Sequence, residues 1–112
     1  MSYVGAAMRE YCLIMALKNP YVYIMANRKN GTIYTGVTSN IIKRVYEHKN
    51  YISTSFCTRY SCYLLVYYES HNDMMRAIER EKQIKKRSRK YKIALIESIN
   101  PQWKDLYYKI TQ

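Results

Sequence analysis

Tyr21-Val22-Tyr23-Ile24-Met25-Ala26-Asn27-Arg28-Lys29-Asn30-Gly31-Thr32-Ile33-Tyr34-Thr35-Gly36-Val37-Thr38 is the stretch on which the fold turns. Two runs rich in β-branched and aromatic residues, 21–26 and 32–38, flank Asn27 to Gly31, and Asn-Gly between such runs is a strong hairpin signal. A four-residue loop, Asn27 to Asn30, sets Ala26 against Gly31 and Tyr23 against Tyr34. Side chains alternate along a strand, so Tyr23 and Tyr34 share one face while Val22, Ile24, Ile33 and Val37 take the other. One face is core, and the other shows two phenols.

Downstream, Thr38-Ser39-Asn40 offers N-caps for a helix running to about Lys49, with Ile41, Ile42 and Val45 as its apolar stripe. Cys62 to Glu69 is apolar at nearly every position, which predicts a strand that is central or covered on both faces. Asn72-Asp73 caps a second helix through about Lys86, and Arg89 to Ile99 reads as a third, stopped by Asn100-Pro101. Trp103, Leu106, Tyr107 and Ile110 recur at helix-like spacing and are expected to pack on the domain. The order β-β-α-β-α-α predicts an α+β fold: a small three-stranded sheet, mixed or antiparallel, flanked by helices. Residues 1–18 read as an N-terminal appendage, with Met15 as an alternative start, and Asn19-Pro20 opens a single domain over 19–112.

The chain has 112 residues, and its 48% apolar and 14% aromatic content is enough for one packed core and excludes wholesale disorder. Nineteen Lys and Arg against 8 Asp and Glu leave a formal charge of +11, which points to a polyanionic partner. Nucleic acid is the first candidate, and anionic membrane the second. Apolar runs such as Cys12 to Leu17 fall far short of the roughly 20 residues that span a bilayer. Arg9 and Glu10 interrupt the N-terminal apolar stretch, against a signal peptide. Cys12, Cys57 and Cys62 form no CxxC pair, and with His48 and His71 they lack zinc-ligand spacing. Reduced thiols in the cytoplasm are the expectation.

Glu81 stands out by periodicity alone. At about 100° per residue, Met74, Ala77, Ile78 and Ile84 define one face of the second helix, and Glu81 falls near its centre. An inward carboxylate needs a counter-charge or a metal, so the alternatives are an internal salt bridge and a bound cation. Arg44 and His48 are four residues apart on one helix face, with Lys43 and Glu47 directed elsewhere. A guanidinium can clamp a phosphate and an imidazole can move a proton near neutral pH, although the pair also fits a solvated face. Tyr23 and Tyr34 are either ordinary strand residues or a pair of phenols able to bind or activate water.

Residues 76 to 92 contain Arg76, Arg80, Lys82, Lys85, Lys86, Arg87, Arg89, Lys90 and Lys92 against Glu79 and Glu81, a net +7. A solvated face usually mixes signs, so this run reads as a phosphate track, with Arg80, Lys82, Lys85, Lys86, Arg87, Arg89 and Lys90 as nucleic-acid contacts. Tyr91 within it either stacks on a base or belongs to the core. No helix-turn-helix or zinc-finger pattern accompanies the run, so recognition of shape or backbone is expected.

Tyr21-Val22-Tyr23, ten residues, then Tyr34-Thr35-Gly36 resembles the paired tripeptides of the GIY-YIG nuclease superfamily, with Arg44, His48 and Glu81 at the following motif positions. The resemblance covers residues 20 to 108. It is strongest to the small single-domain bacterial group, through Asn30-Gly31-Thr32, Gly36-Val37-Thr38-Ser39, Lys43-Arg44, Glu47-His48-Lys49, Arg80-Glu81-Lys82 and Asn100-Pro101 with Trp103, Asp105, Leu106 and Tyr107. It implies metal-assisted phosphodiester hydrolysis, with Mg2+ or Mn2+ held by Glu81 and the scissile phosphate by Arg44. Tyr23 or Tyr34 would orient or deprotonate the attacking water, with His48 as relay or positioning group. Phenols are poor bases at neutral pH, so nearby cations must favour the ionised form.

Three places in the chain depart from the superfamily pattern. Tyr-Val-Tyr stands for Gly-Ile-Tyr, Val37 stands where some relatives carry a lysine, and Lys92-Ile93 stands where several carry an asparagine, a role left to Asn100. The expected function is a metal-dependent DNA endonuclease, structure-specific in repair or recombination, with a protein partner, oligomerisation or substrate shape supplying specificity. The alternative is a non-catalytic DNA- or RNA-binding module that retains the fold.

Overall fold

In the computed structural model, which describes residues 19–50 and 61–111, three strands and four helices follow one another. They are β1 (Tyr21–Ala26), β2 (Ile33–Thr38), α1 (Ile41–Lys49), β3 (Leu64–Ser70), α2 (Met74–Lys86), α3 (Arg89–Ile99) and the single turn α4 (Tyr107–Ile110). The α+β order expected from the sequence holds, with α4 added at the end. Cys12, Cys57 and the expected appendage over 1–18 lie outside the described residues.

All strand pairs are antiparallel, in the order β2-β1-β3. The central strand is β1, and β3 is an edge strand, covered on both faces rather than central, with Leu65 and Val66 fully buried. Its apolar run serves the two core layers on either side of the sheet. A bulge between Ile24 and Met25 lets β3 keep pairing past Val66.

The hairpin register differs from the expected one. Tyr23 faces Gly36, Met25 faces Tyr34, and Ala26 faces Ile33. Asn27 sets this register, because its side-chain oxygen accepts from Thr32 N at 2.9 Å and its own N–H donates to Thr32 O at 3.2 Å. The turn is thereby closed around Arg28 to Gly31, with Asn30 at a φ of 59°. Gly31 fits because a Cβ there would collide with Asn27 Oδ1. The register moves by an even number of residues, so every side chain keeps its expected face, but the face expected to show two phenols is core as well: α1 and the tail cover it, and Tyr23 is buried there.

Tyr23, Met25 and Leu65 on one face pack against Ile41 and Val45 of α1 and against Leu106, Tyr107 and Ile110 of the tail. On the other face Ile24, Ala26, Val66 and Tyr67 meet Ile96 of α3 and Trp103, while Val22 meets Ala77 and Ile84 of α2. Helices α1 to α3 start where short polar side chains satisfy first-turn N–H groups: Asn40 accepts from Lys43 N, Asp73 from Arg76 N, and Ser88 from Tyr91 N. Two ties hold the tail. Asp105 pairs with Lys49 and accepts from Leu65 N, and Asn100 donates to Val66 O and Lys104 O while accepting from Lys104 N. The Asn100 amide is thus spent on backbone groups that join β3 to the tail.

Candidate active site

Tyr23, from the central strand, is 2% exposed, and its hydroxyl lies 3.1 Å from His48 Nε2. Gly36 makes that position available: a Cβ there would come within 2.5 Å of the Tyr23 hydroxyl, so only glycine leaves room for the ring. Tyr34 stands one step diagonally across the hairpin and is partly exposed. Its ring centroid is 6.3 Å from that of Tyr23 and 5.7 Å from that of His48, an edge-on contact. Three rings from β1, β2 and α1 therefore form one cluster, joined by contacts of the edge-on or tilted kind that aromatic quadrupoles favour.

His48 is 2% exposed, and its Nδ1 is buried without a hydrogen-bond partner among the described residues. Burial lowers its pKa, and the Arg44 guanidinium one turn earlier lowers it further, against a weaker pull from Glu47. The imidazole is neutral at neutral pH and so is able to accept or donate at Nε2. The Arg44 side chain is 43% exposed and lines an open cleft with Thr38, Ser39, Asn40, Lys43 and Glu47 at the start of α1. Lys43 and Glu47 thus flank Arg44 rather than pointing away from it, and Glu47 comes within 3.8 Å of it.

Glu81 turns inward as its periodicity demands, with 14% of its side chain exposed, but its apolar frame is narrower than expected. Only Ala77 and Ile84 are buried in α2, whereas Met74 and Ile78 are more than a third exposed. The Glu81 carboxylate pairs with Lys85 at 3.2 Å, and the same ammonium sits 5.9 Å from the Tyr34 ring centroid. Lys85 therefore links Glu81 to the ring cluster. Its place at the site went unread in the sequence because it lay within a run of cations, although the four-residue step from Glu81 was the available signal. The contribution of Gly36 depends on register, which no local pattern fixes.

The expected nucleic-acid contacts divide into two groups. Arg80 is paired with Glu69 at 3.2 Å, Lys85 with Glu81, and Arg89 donates to the carbonyls of Asn30 and Gly31. Lys82, Lys86 and Lys90 are exposed and make no ion pair among the described residues, and Arg87 lies over the Tyr91 ring. Glu69, which sequence reasoning passed over, accepts from Tyr67 and His71 at 2.6 Å as well as from Arg80. Burial opposes its charge, but these donors prevail and hold its carboxyl below the usual range. No helix among the described residues is long and apolar enough to cross a membrane.

Residues 19–94 match the GIY-YIG catalytic domain. The chain is 37% identical over 78 residues to a UPF0213 protein of Clostridium perfringens, covering 70% of this chain and 83% of that one. It is 36% identical over 76 residues to a UPF0213 protein of Staphylococcus saprophyticus, with 68% and 92% covered. A UPF0213 protein of Syntrophus aciditrophicus is 38% identical over 86 residues, with 73% and 93% covered. No solved structure matches the chain significantly. With its matched span and its three-stranded antiparallel sheet between helices, the chain belongs to the GIY-YIG family, a nuclease superfamily.

Proposed function

We propose that the protein is a metal-dependent endonuclease that hydrolyses phosphodiester bonds in DNA and selects its substrates by strand structure, in repair or recombination. The observation that carries this reading is the convergence of Tyr23, Tyr34 and His48 in one ring cluster, with Lys85 linking it to the inward Glu81. Nucleic acid as the substrate follows from the nuclease domain and agrees with a charge of +11.

Glu81 fits a divalent ion as its single protein ligand. No three His, Cys, Asp or Glu residues cluster among the described residues, and magnesium commonly keeps several waters and joins one or two carboxylates to substrate phosphate. Its carboxylate already faces a cation, the Lys85 ammonium. Magnesium or manganese bound there would supply Lewis-acid stabilisation of the leaving oxygen.

The remaining work falls to the chain itself. Arg44, half-buried in the lining of its cleft, clamps the scissile phosphate through the planar guanidinium fork. Tyr34, the more accessible phenol, meets the attacking water. Tyr23 is sealed from solvent and oriented by His48, whose neutral ring accepts or returns a proton at Nε2. Lys85, beside both Tyr34 and Glu81, supplies positive charge where the phenol would take on negative charge.

Incubation of labelled nicked, branched and single-stranded DNA with magnesium, with and without chelator, tests the reading. Cleavage that depends on metal and is lost in Glu81→Ala supports it. Tight binding of every substrate without cleavage under any metal overturns it in favour of a non-catalytic binding module.

A further inference from the structure

The cleft between α2 and α3 is lined by Arg80, Gln83, Lys86, Arg87 and Tyr91. None of these side chains belongs to the ring cluster of the candidate active site. Tyr91 lies outside the packed clusters and remains partly exposed. Its hydroxyl accepts from Arg80 Nη1 at 3.4 Å, and Arg80 is held in turn by Nε donating to both Glu69 oxygens at 3.2 Å. Glu69 is fixed by Tyr67 and His71. The Arg87 guanidinium rests 4.3 Å from the Tyr91 ring centroid.

This chain of contacts orders two planar groups, a phenol and a guanidinium, before any ligand arrives, which removes part of the entropic cost of binding. Both are surfaces on which nucleobases stack, and around them the cleft is cationic, with Lys86 and Gln83 exposed. Gln83 offers both a donor and an acceptor. A duplex keeps its base faces stacked on one another, so only an unpaired nucleotide can use such a platform.

We infer that this cleft receives an unpaired base of single-stranded DNA, stacked on the Arg87–Tyr91 pair, with Lys86 at the neighbouring phosphate. The inference rests on the nucleic-acid reading above and narrows it to substrates carrying a single-stranded segment beside the cut.

The test is equilibrium binding, in chelator and without turnover, of a short oligodeoxythymidylate and of an abasic oligomer with the same number of phosphates. The protein binds the thymidylate at least about fivefold more tightly, the low end of what stacking one base contributes. Tyr91→Leu removes that preference, Tyr91→Phe keeps it, and Arg87→Glu, an exposed change that spares the core, weakens both oligomers and narrows the gap. Equal affinity of the unaltered protein for the two oligomers overturns the proposal, as does a preference that survives both Tyr91→Leu and Arg87→Glu. Equal affinity beside metal-dependent cleavage would sink the cleft and leave the nuclease standing. A thymidylate preference without cleavage would do the reverse.

Discussion

Gly36 carries no side chain because the Tyr23 phenol occupies the space one would need. Gly36→Ala is therefore expected to destabilise the fold by about 1–3 kcal/mol through overpacking and to push Tyr23 off His48. Urea unfolding measures the first effect and loss of cleavage the second; an unchanged midpoint would mean that the ring yields freely. His48 gives a pH signature. Its folded pKa lies below the ordinary value of 6.5, so the unfolded chain binds the proton more readily. Its share of stability is complete above pH 6.5 and is lost as pH falls toward the folded pKa. Urea midpoints at pH 7.5 and 5.5 should differ more in the parent protein than in His48→Gln, and parallel declines would count against a buried neutral imidazole. Glu81 was legible from helical periodicity, which is local. The bond between Tyr23 and His48 was not, because it spans 25 residues and depends on how α1 lies on the sheet.

At the level of elements, the expected caps were read well because their chemistry is local: Asn40 and Asp73 each satisfy a first-turn N–H, as does Ser88, which the sequence reading did not single out. Register and strand order were less legible. The hairpin register turns on the Asn27 side chain closing the turn onto Thr32, and the edge position of β3 depends on long-range pairing that its apolar pattern does not encode. One tie behind this arrangement is Arg89, which reaches from the start of α3 to the carbonyls of Asn30 and Gly31. Arg89→Ala should cost about 1.5–3 kcal/mol, the range for hydrogen bonds to charged groups, and should speed amide exchange over residues 27–32. Exchange unchanged in that loop would show that Asn27 alone holds the turn.

For the whole molecule, a charge of +11 points to a polyanionic partner without naming any one contact. The +7 run over 76–92 looked uniform in sequence, yet the fold commits Arg80, Lys85 and Arg89 to partners within the domain and leaves Lys82, Lys86 and Lys90 exposed. DNA affinity should fall steeply with salt, by about 0.9 log units per log unit of salt for each phosphate neutralised. Replacing Lys82, Lys86 and Lys90 together by alanine should flatten that slope by up to about three such contacts. A slope unchanged by the triple replacement would move the DNA track elsewhere.

In the proposed function the ring cluster and Glu81 act together on a phosphodiester. Single-turnover cleavage of labelled nicked, branched and single-stranded DNA in magnesium, by the parent protein, Glu81→Ala and Tyr34→Phe, tests it most directly, with thermal melts verifying that each variant is folded. Cleavage by the parent and its loss in both folded variants is the predicted result, and undiminished cleavage by either variant would contradict the account.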